Sequence, residues 1–222
     1  TTLSSLEKWQ ALTSQNIAAG NVPGYKGGQM SFEQIRAGMI GMTSGGETVS
    51  SPVQMARSSV NVNHQDGRMR QTEVPTHFAL SDDGFFRIQG DGFEYYSRDG
   101  EFHVNAENQI VNKQGHPVLG KGGPMRVNPD FGQLIVTDAG EIRQGEIAVG
   151  QFAIADIPDK SALTRVSGGF RLSAEEIDQP RDVERARVKQ GYLEESNVEP
   201  LREMVNLISI SRAFELNSKI IQ

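Results

Sequence analysis

The chain has 222 residues, with 22 Lys plus Arg against 28 Asp plus Glu and a net charge of −6. That balance argues against nucleic-acid binding, which needs a basic patch. Hydrophobic residues make up 36%, or about 47% once the 24 Gly are counted, which is an ordinary globular composition rich in turns. The absence of Cys excludes thiol nucleophiles, thiolate metal sites and disulfides. It suits a chain that crosses unfolded into an oxidising space, and equally an ordinary bacterial protein with few thiols. No apolar run reaches the ~18 residues of a membrane-spanning helix. The opening TTLSSLEKWQ lacks the basic and apolar regions of a cleavable signal.

Taken in chain order, Leu3, Leu6, Trp9, Leu12 and Ile17 recur at helical spacing and predict a helix over 2–19. Gly20 sits past its end and Pro23 follows as a stop, after which the chain turns through Pro23-Gly24. Residues 27–57 read as a flexible, mostly irregular connector. Six Gly lie there among Ser, Thr, Gln and Met, and only a Ser-x-x-Gln pattern suggests a helical turn over Ser31–Ala37. A stretch of this length without firm structure is functional or becomes ordered on binding.

From 58 to 187 the pattern changes to short runs separated by turns at Asp66-Gly67, Asp83-Gly84, Asp99-Gly100 and Asp138-Ala139-Gly140. This is the grammar of hairpins and predicts an all-β body of short antiparallel strands. EIAVGQFAIADI, over 146–157, is the strongest strand candidate. Phe85 or Phe86, with Ile88, Phe102 and Val104, is expected in the core; alternation alone does not say which of the two adjacent Phe faces inward.

The final stretch, 188–222, predicts a long amphipathic helix. Ser196 and Glu199 have capping-box spacing and Pro200 falls in the first turn. Leu201, Met204, Val205, Leu207 and Ile208 begin a broad apolar face that Ile210, Phe214, Leu216, Ile220 and Ile221 continue. No Gly or Pro closes it, and about 22 residues make a rod of roughly 33 Å. Neither terminal helix is stable alone, so the two are expected to pack on each other and on copies of themselves as a coiled-coil-like pair. The fold class is therefore α+β, with a terminal helix and turn at 1–26, a connector at 27–57, an all-β body at 58–187 and a terminal helix at 188–222.

Nothing in this pattern calls for catalysis, a cofactor or a metal. His64, His77, His103 and His116 lack zinc-site spacing. Asp82-Asp83-Gly84, Asp91-Gly92 and Asp99-Gly100 read as turns rather than calcium loops or an acid pair. Gly90-x-Gly92 leads into no phosphate-binding helix. Arg98 is expected to order its own turn through Asp99 or Glu101. The competing class is a secreted β-rich module or hydrolase acting on carbohydrate or peptidoglycan.

Three blocks carry a resemblance. NIAAGNVPGYK near the start, GFFRI with YYSRDGEFHVN in the body, and QGYLEESNVEPLREMVNLISISRAFELNSKIIQ at the end resemble, in the same order, the signature blocks of bacterial flagellar rod and hook proteins. Gly20 and Phe214 depart from the usual pattern, where Asn or Ala and Tyr are common. GHPVLGKGGPMRVN and the compact length are more like the proximal rod branch than the distal rod or hook branches. The resemblance implies a non-enzymatic structural subunit with no cofactor. It would be exported through the flagellar type III apparatus and would assemble with copies of itself and with other rod and hook proteins in the periplasmic part of the basal body. Its terminal helices would form the inner wall of a shaft that carries torque. The implied assembly interface comprises Leu3, Leu6, Trp9, Leu12 and Ile17 on the first helix, and Asn16, Asn21, Pro23, Gly24 and Tyr25 around its turn. On the last helix it comprises Leu201, Met204, Val205, Leu207, Ile208, Phe214 and Ile221. Neither nucleic acid nor membrane insertion is implied.

Overall fold

The computed structural model describes the backbone of residues 2–44, 47–172, 180–183 and 186–221, and side chains within 4–31, 59–128, 130–172, 180–183 and 186–216. The chain forms two compact units. One comprises Thr1–Ile17, Gly28–Asn63 and Glu199–Gln222; the other comprises Ala18–Gly27 and His64–Val198.

The first unit holds helix α1 (Thr2–Ala18), strands β1 (Gly28–Ser44) and β2 (Glu47–Val62), and helix α2 (Pro200–Ile221). On α1, Leu6 is buried and Trp9, Leu12 and Ile17 are half-buried, as the helical spacing requires. Asn16 is buried in the last turn of the helix. Its amide nitrogen donates to the Gly28 carbonyl at 2.8 Å and its oxygen accepts from the Gly28 amide at 2.9 Å. Leu12 lies over the same glycine, where any Cβ would come within 2.4 Å of its Cδ1.

The irregular connector expected over 27–57, with its helical turn at Ser31–Ala37, is instead an antiparallel ribbon. β1 and β2 pair from Gly28↔Val62 to Ser44↔Glu47, with a register shift between Arg36 and Gly38. Two features that read as loop signals have another meaning here. Gly38 falls at the irregularity, where a glycine accommodates a bulge. Pro52 is tolerated because each strand of a two-stranded ribbon is an edge strand and need not donate at every position. Cross-strand polar pairing helps at the base: Ser31 and Ser59 share a hydrogen bond of 2.8 Å, and Asn61 donates to Ser31 Oγ at 2.9 Å.

α2 also starts differently from the capping-box reading. Glu203 donates its amide to the Glu199 carbonyl at 3.1 Å, so Glu199 is the cap position and Pro200 the first helical residue. Ser196 folds a local turn instead, accepting from the Val198 amide at 3.2 Å. Proline at the first position costs no hydrogen bond and sets φ correctly.

The second unit is the β body. In chain order its strands are β3 (Met69–Gln71), β4 (Phe78–Leu80), β5 (Phe85–Gln89), β6 (Glu94–Ser97), β7 (His103–Val104), β8 (Ile110–Val111), β9 (Leu119–Gly120), β10 (Gly123–Pro124), β11 (Leu134–Val136), β12 (Glu141–Gln144), β13 (Ile147–Gln151), β14 (Ile154–Asp156), β15 (Leu163–Val166), β16 (Gly169–Leu172), β17 (Arg181–Asp182), β18 (Val188–Gln190) and β19 (Tyr192–Glu194). Six form one antiparallel sheet in the order β15-β16-β6-β5-β14-β17, and β11-β12-β13 form a second. The tail of the body closes back on its start, with β18 on β4 and β19 on β3.

A phenylalanine cluster fills the body. Phe78 meets Phe152 with ring centroids 5.0 Å apart, and Phe86 meets Phe102 and Phe152 at 5.1 and 5.4 Å, all edge-on. Ile88, Ile110, Val118, Ile142 and Val188 complete the core. Phe85 is buried as well, against Phe170 and His64, because its face of the sheet is covered too. Val104, expected in the core, is exposed, since β7 is a two-residue strand whose burial pattern is exposed throughout. The long strand expected over 146–157 is two. β13 lies in the three-stranded sheet and β14 in the six-stranded one, and Phe152 drops into the core between them. The crossing is held by the Phe152 amide on the Gly140 carbonyl and the Ala153 amide on the Leu119 carbonyl, both at 3.0 Å.

Candidate functional site

The three sequence blocks come together within the β body, at the place where the chain enters it after α1 and leaves it before α2. Glu194, at the end of β19, is 1% exposed and is the centre of this node. Lys26 Nζ donates to Glu194 Oε1 at 2.6 Å and to the Gln65 carbonyl at 2.8 Å. The Gly67 amide donates to the same Oε1 at 2.9 Å. Arg98 Nε lies 2.9 Å from Glu194 Oε2; no donor there meets hydrogen-bond geometry, so this contact is an ion pair rather than a hydrogen bond. Arg98 also donates to Asp66 and to the carbonyls of Asp82 and Gly84, the latter two at 2.7 and 2.9 Å. Lys26 Nζ stands 3.4 Å from Asp66 Oδ1.

Two cations and two carboxylates therefore balance at this node, with Lys26, Arg98 and Glu194 buried and Asp66 at the exposed edge. Burial opposes the charge of Asp66, but Arg98 and Lys26 beside it outweigh that and hold its carboxyl below the ordinary range. Instead of ordering its own turn through Asp99 or Glu101, the expected role, Arg98 reaches Glu194, Asp66 and the Asp82 and Gly84 carbonyls. Lys113 takes that part, 3.4 Å from Asp99 and 2.9 Å from Glu101, while burial pushes the Asp99 carboxyl upward.

Backbone contacts lock the same place. The Gly24 amide donates to the Glu194 carbonyl at 2.7 Å and the Asn197 amide to the Tyr25 carbonyl at 3.2 Å. The Asn197 side chain accepts from the Gly27 amide at 2.7 Å and donates to the Gln65 carbonyl at 2.8 Å. Gly24 needs to be glycine: its φ is +66°, and a Cβ would lie 2.3 Å from the Arg98 carbonyl carbon. Gly67 packs as tightly, with a Cβ position 1.8 Å from the Glu195 carbonyl oxygen.

The residues expected to form an assembly interface divide into groups. Gly24 is buried and Pro23 and Tyr25 half-buried within the node, Asn21 is exposed on the turn, and Asn16 bonds within the first unit. Leu3 and Ile221 have side chains outside the described residues. On α2 the broad apolar face resolves into two. Ile210 is buried and Leu207 and Phe214 half-buried, one turn apart on one side. Leu201, Met204, Val205 and Ile208 follow at helical spacing and are exposed, Leu201 to 77% and Ile208 to 55%, and Leu216 further along is exposed to 64%. The sequence reading missed Lys26 and Glu194, took Asp66 only as a turn residue and gave Arg98 a different partner. Strand alternation places Glu194 opposite to Leu193, yet both are buried, because a carboxylate with two cationic partners satisfies a place that alternation assigns to solvent. Among the described residues, no three His, Asp or Glu side chains converge as a metal site, and no helix is long and apolar enough to cross a membrane.

These features define a subunit with a finished core, a tied pair of chain segments where the body begins and ends, and an unfinished apolar helix face. Residues 79–144 match the family model of the flagellar hook protein FlgE/F/G D1 domain, and residues 189–222 match that of the flagellar basal body rod FlgEFG protein C-terminal region. The chain is 33% identical to the flagellar basal-body rod protein FlgF of Caulobacter vibrioides, over 94% of this chain and 84% of that protein. It is 31% identical to FlgF of Escherichia coli over 96% and 86%, and 29% identical to the flagellar basal-body rod protein FlgG of Buchnera aphidicola over 94% and 86%. The chain belongs to the flagellar basal-body rod protein family, and its likeness within that family is to the proximal rod branch, FlgF. The two family matches take in Arg98 and Glu194, while Lys26 and Asp66 lie outside both.

Proposed function

We propose that the chain is a structural subunit of the flagellar basal-body rod that polymerises with copies of itself and with other rod and hook proteins into a shaft carrying torque from motor to hook. The observation that carries this reading is the double face of α2. Leu207, Ile210 and Phe214 are covered within the chain, while Leu201, Met204, Val205 and Ile208 are left in water. Burying each such side chain contributes about 1.5–3 kcal/mol, so a neighbour that covers the stripe gains several such contributions at once. Repeated head-to-tail, a contact of this kind does not close and gives a filament. In this reading α1 and α2 pair in coiled-coil fashion in the inner wall, and the interface uses the helix residues Leu3, Leu6, Trp9 and Ile17 together with the exposed stripe. The terminal helical segments within 1–26 and 188–222 serve assembly and the body of 58–187 faces outward. The subunit reaches the periplasmic side of the envelope through the type III export apparatus and has no enzymatic role.

The test compares the intact chain with one trimmed of 1–17 and 199–222, a cut that leaves the node whole. The intact protein is expected to form oligomers or fibres on concentration, seen by sedimentation and electron microscopy, and the trimmed body to stay monomeric. If both behave alike and hydrolyse a cell-wall glycan, the structural reading fails.

A further inference from the structure

Beside the node the β body has a cleft of about 170 Å³, open to solvent on one side and lined by Tyr25, Lys26, Arg98, Lys113, Arg165 and Phe170 among others. Four cations face it. Lys26 and Arg98 are matched by Glu194 and Asp66, and Lys113 by Asp99 and Glu101. Arg165, on the edge strand β15, meets no carboxylate among the described residues. Its guanidinium lies 4.4 Å from the Tyr25 ring centroid and 5.3 Å from that of Phe170, and one N–H donates to the Lys26 carbonyl.

We propose that this cleft receives an acidic side chain of a second copy of the chain, with Arg165 as the group that binds its carboxylate. The inference rests on the self-assembly reading above and adds a polar anchor to the apolar stripe. A guanidinium carries five N–H donors in a rigid fork that matches a carboxylate, and among the described residues only one is used. The two ring contacts keep part of the guanidinium's surroundings dry, so a pair formed here is less screened by salt than one on an open surface. Burial already presses on the charge, lowering the Arg165 pKa from its ordinary value, and a carboxylate arriving in the cleft would relieve it. The supply matches: each copy carries 28 Asp plus Glu against 22 Lys plus Arg, so neighbours present carboxylates in excess. The cleft volume corresponds to on the order of five waters, room for a carboxylate and its stem.

The experiment uses the full-length native protein with Arg165→Gln and Arg165→Lys. Sodium acetate is titrated into dilute native protein, with chloride at matched ionic strength as the control, and the Arg165 Nε–Hε resonance is followed by NMR. Assembly midpoints of all three proteins are measured by sedimentation over a range of NaCl. Acetate should shift the resonance saturably where chloride does not. Arg165→Gln should raise the assembly midpoint at least about tenfold and flatten its salt dependence, and Arg165→Lys, which keeps the charge but loses the fork, should fall between. Unchanged melting curves for the variants separate this from loss of fold. An acetate titration that matches chloride overturns the carboxylate cleft. A specific acetate shift with an unchanged midpoint in Arg165→Gln overturns the second copy as its source. Native protein that never assembles sinks the self-assembly reading, and the acetate titration then still decides the cleft.

Discussion

The β body and α2 handle the same kind of residue in opposite ways. In the body, Phe78, Phe86, Phe102 and Phe152 are covered completely by one another and by the surrounding Ile and Val. On α2, residues of equal apolarity stand in water along one side while Ile210 on the other side is as buried as the body's Phe. Size and hydrophobicity therefore do not separate the two; what differs is whether the chain contains the covering surface. The body's stability is its own, and part of the helix's stability belongs to whatever lies on it.

Substitutions can sharpen that contrast, and two of them strike hardest. Glu194→Ala should cost about 3–5 kcal/mol, because Lys26 and Arg98 would be left buried without their shared partner. Phe86→Ala should cost a similar 3–5 kcal/mol through lost burial and a cavity. Both are measured by urea unfolding of the trimmed body, and a loss under about 1 kcal/mol in either would contradict the packing described. Next comes a pH effect. His64 lies against Phe85 and Phe170 with its pKa lowered to about 4, by burial first and then by Lys160, Lys26 and Arg165. Between about 6.5 and 4 the unfolded chain binds a proton that the folded chain refuses, so stability should fall as pH drops through that window and level off below it. The loss should be on the order of 1–2 kcal/mol once discounted for the half-burial of the ring, and His64→Phe should flatten it. Smallest in stability is Ile208→Glu, expected to shift unfolding by no more than about 0.5 kcal/mol while abolishing assembly in sedimentation. Equal assembly by the variant and the native chain would remove Ile208 from the interface.

Local rules served best where structure is local. The α1 spacing and Pro200 at the helix start are visible in a few consecutive residues and recur in the structure; of the expected turns, Asp138-Ala139-Gly140 joins a paired hairpin, whereas Asp66-Gly67, Asp83-Gly84 and Asp99-Gly100 link strands that do not pair with each other. The ribbon of β1 and β2 was hidden because its glycines and Pro52 carry a loop meaning in a covered sheet and a different one in a two-stranded ribbon. Val104 was misplaced because alternation assumes a strand long enough to have faces. The node was the least legible. Lys26, Asp66, Arg98 and Glu194 lie far apart in the sequence, and each reads alone as an ordinary surface charge. Only their convergence gives Lys26, Arg98 and Glu194 a reason to be buried, with Asp66 at the exposed edge of the cluster. The split of the α2 face was equally invisible, since a wide apolar stripe looks the same whether one partner covers it or two.

The hydrogen bonds from Gly24 to Glu194 and from Asn197 to Tyr25 have a mechanical consequence. They tie the segment just beyond α1 directly to the segment just before α2. A pull entering along one helix reaches the other across these bonds and the ion cluster behind them, and need not cross the hairpins of the β body. The body is thereby unloaded, like a fitting bolted beside a cable rather than spliced into it. Under force the first element to yield should be this clasp, with the sheets still folded.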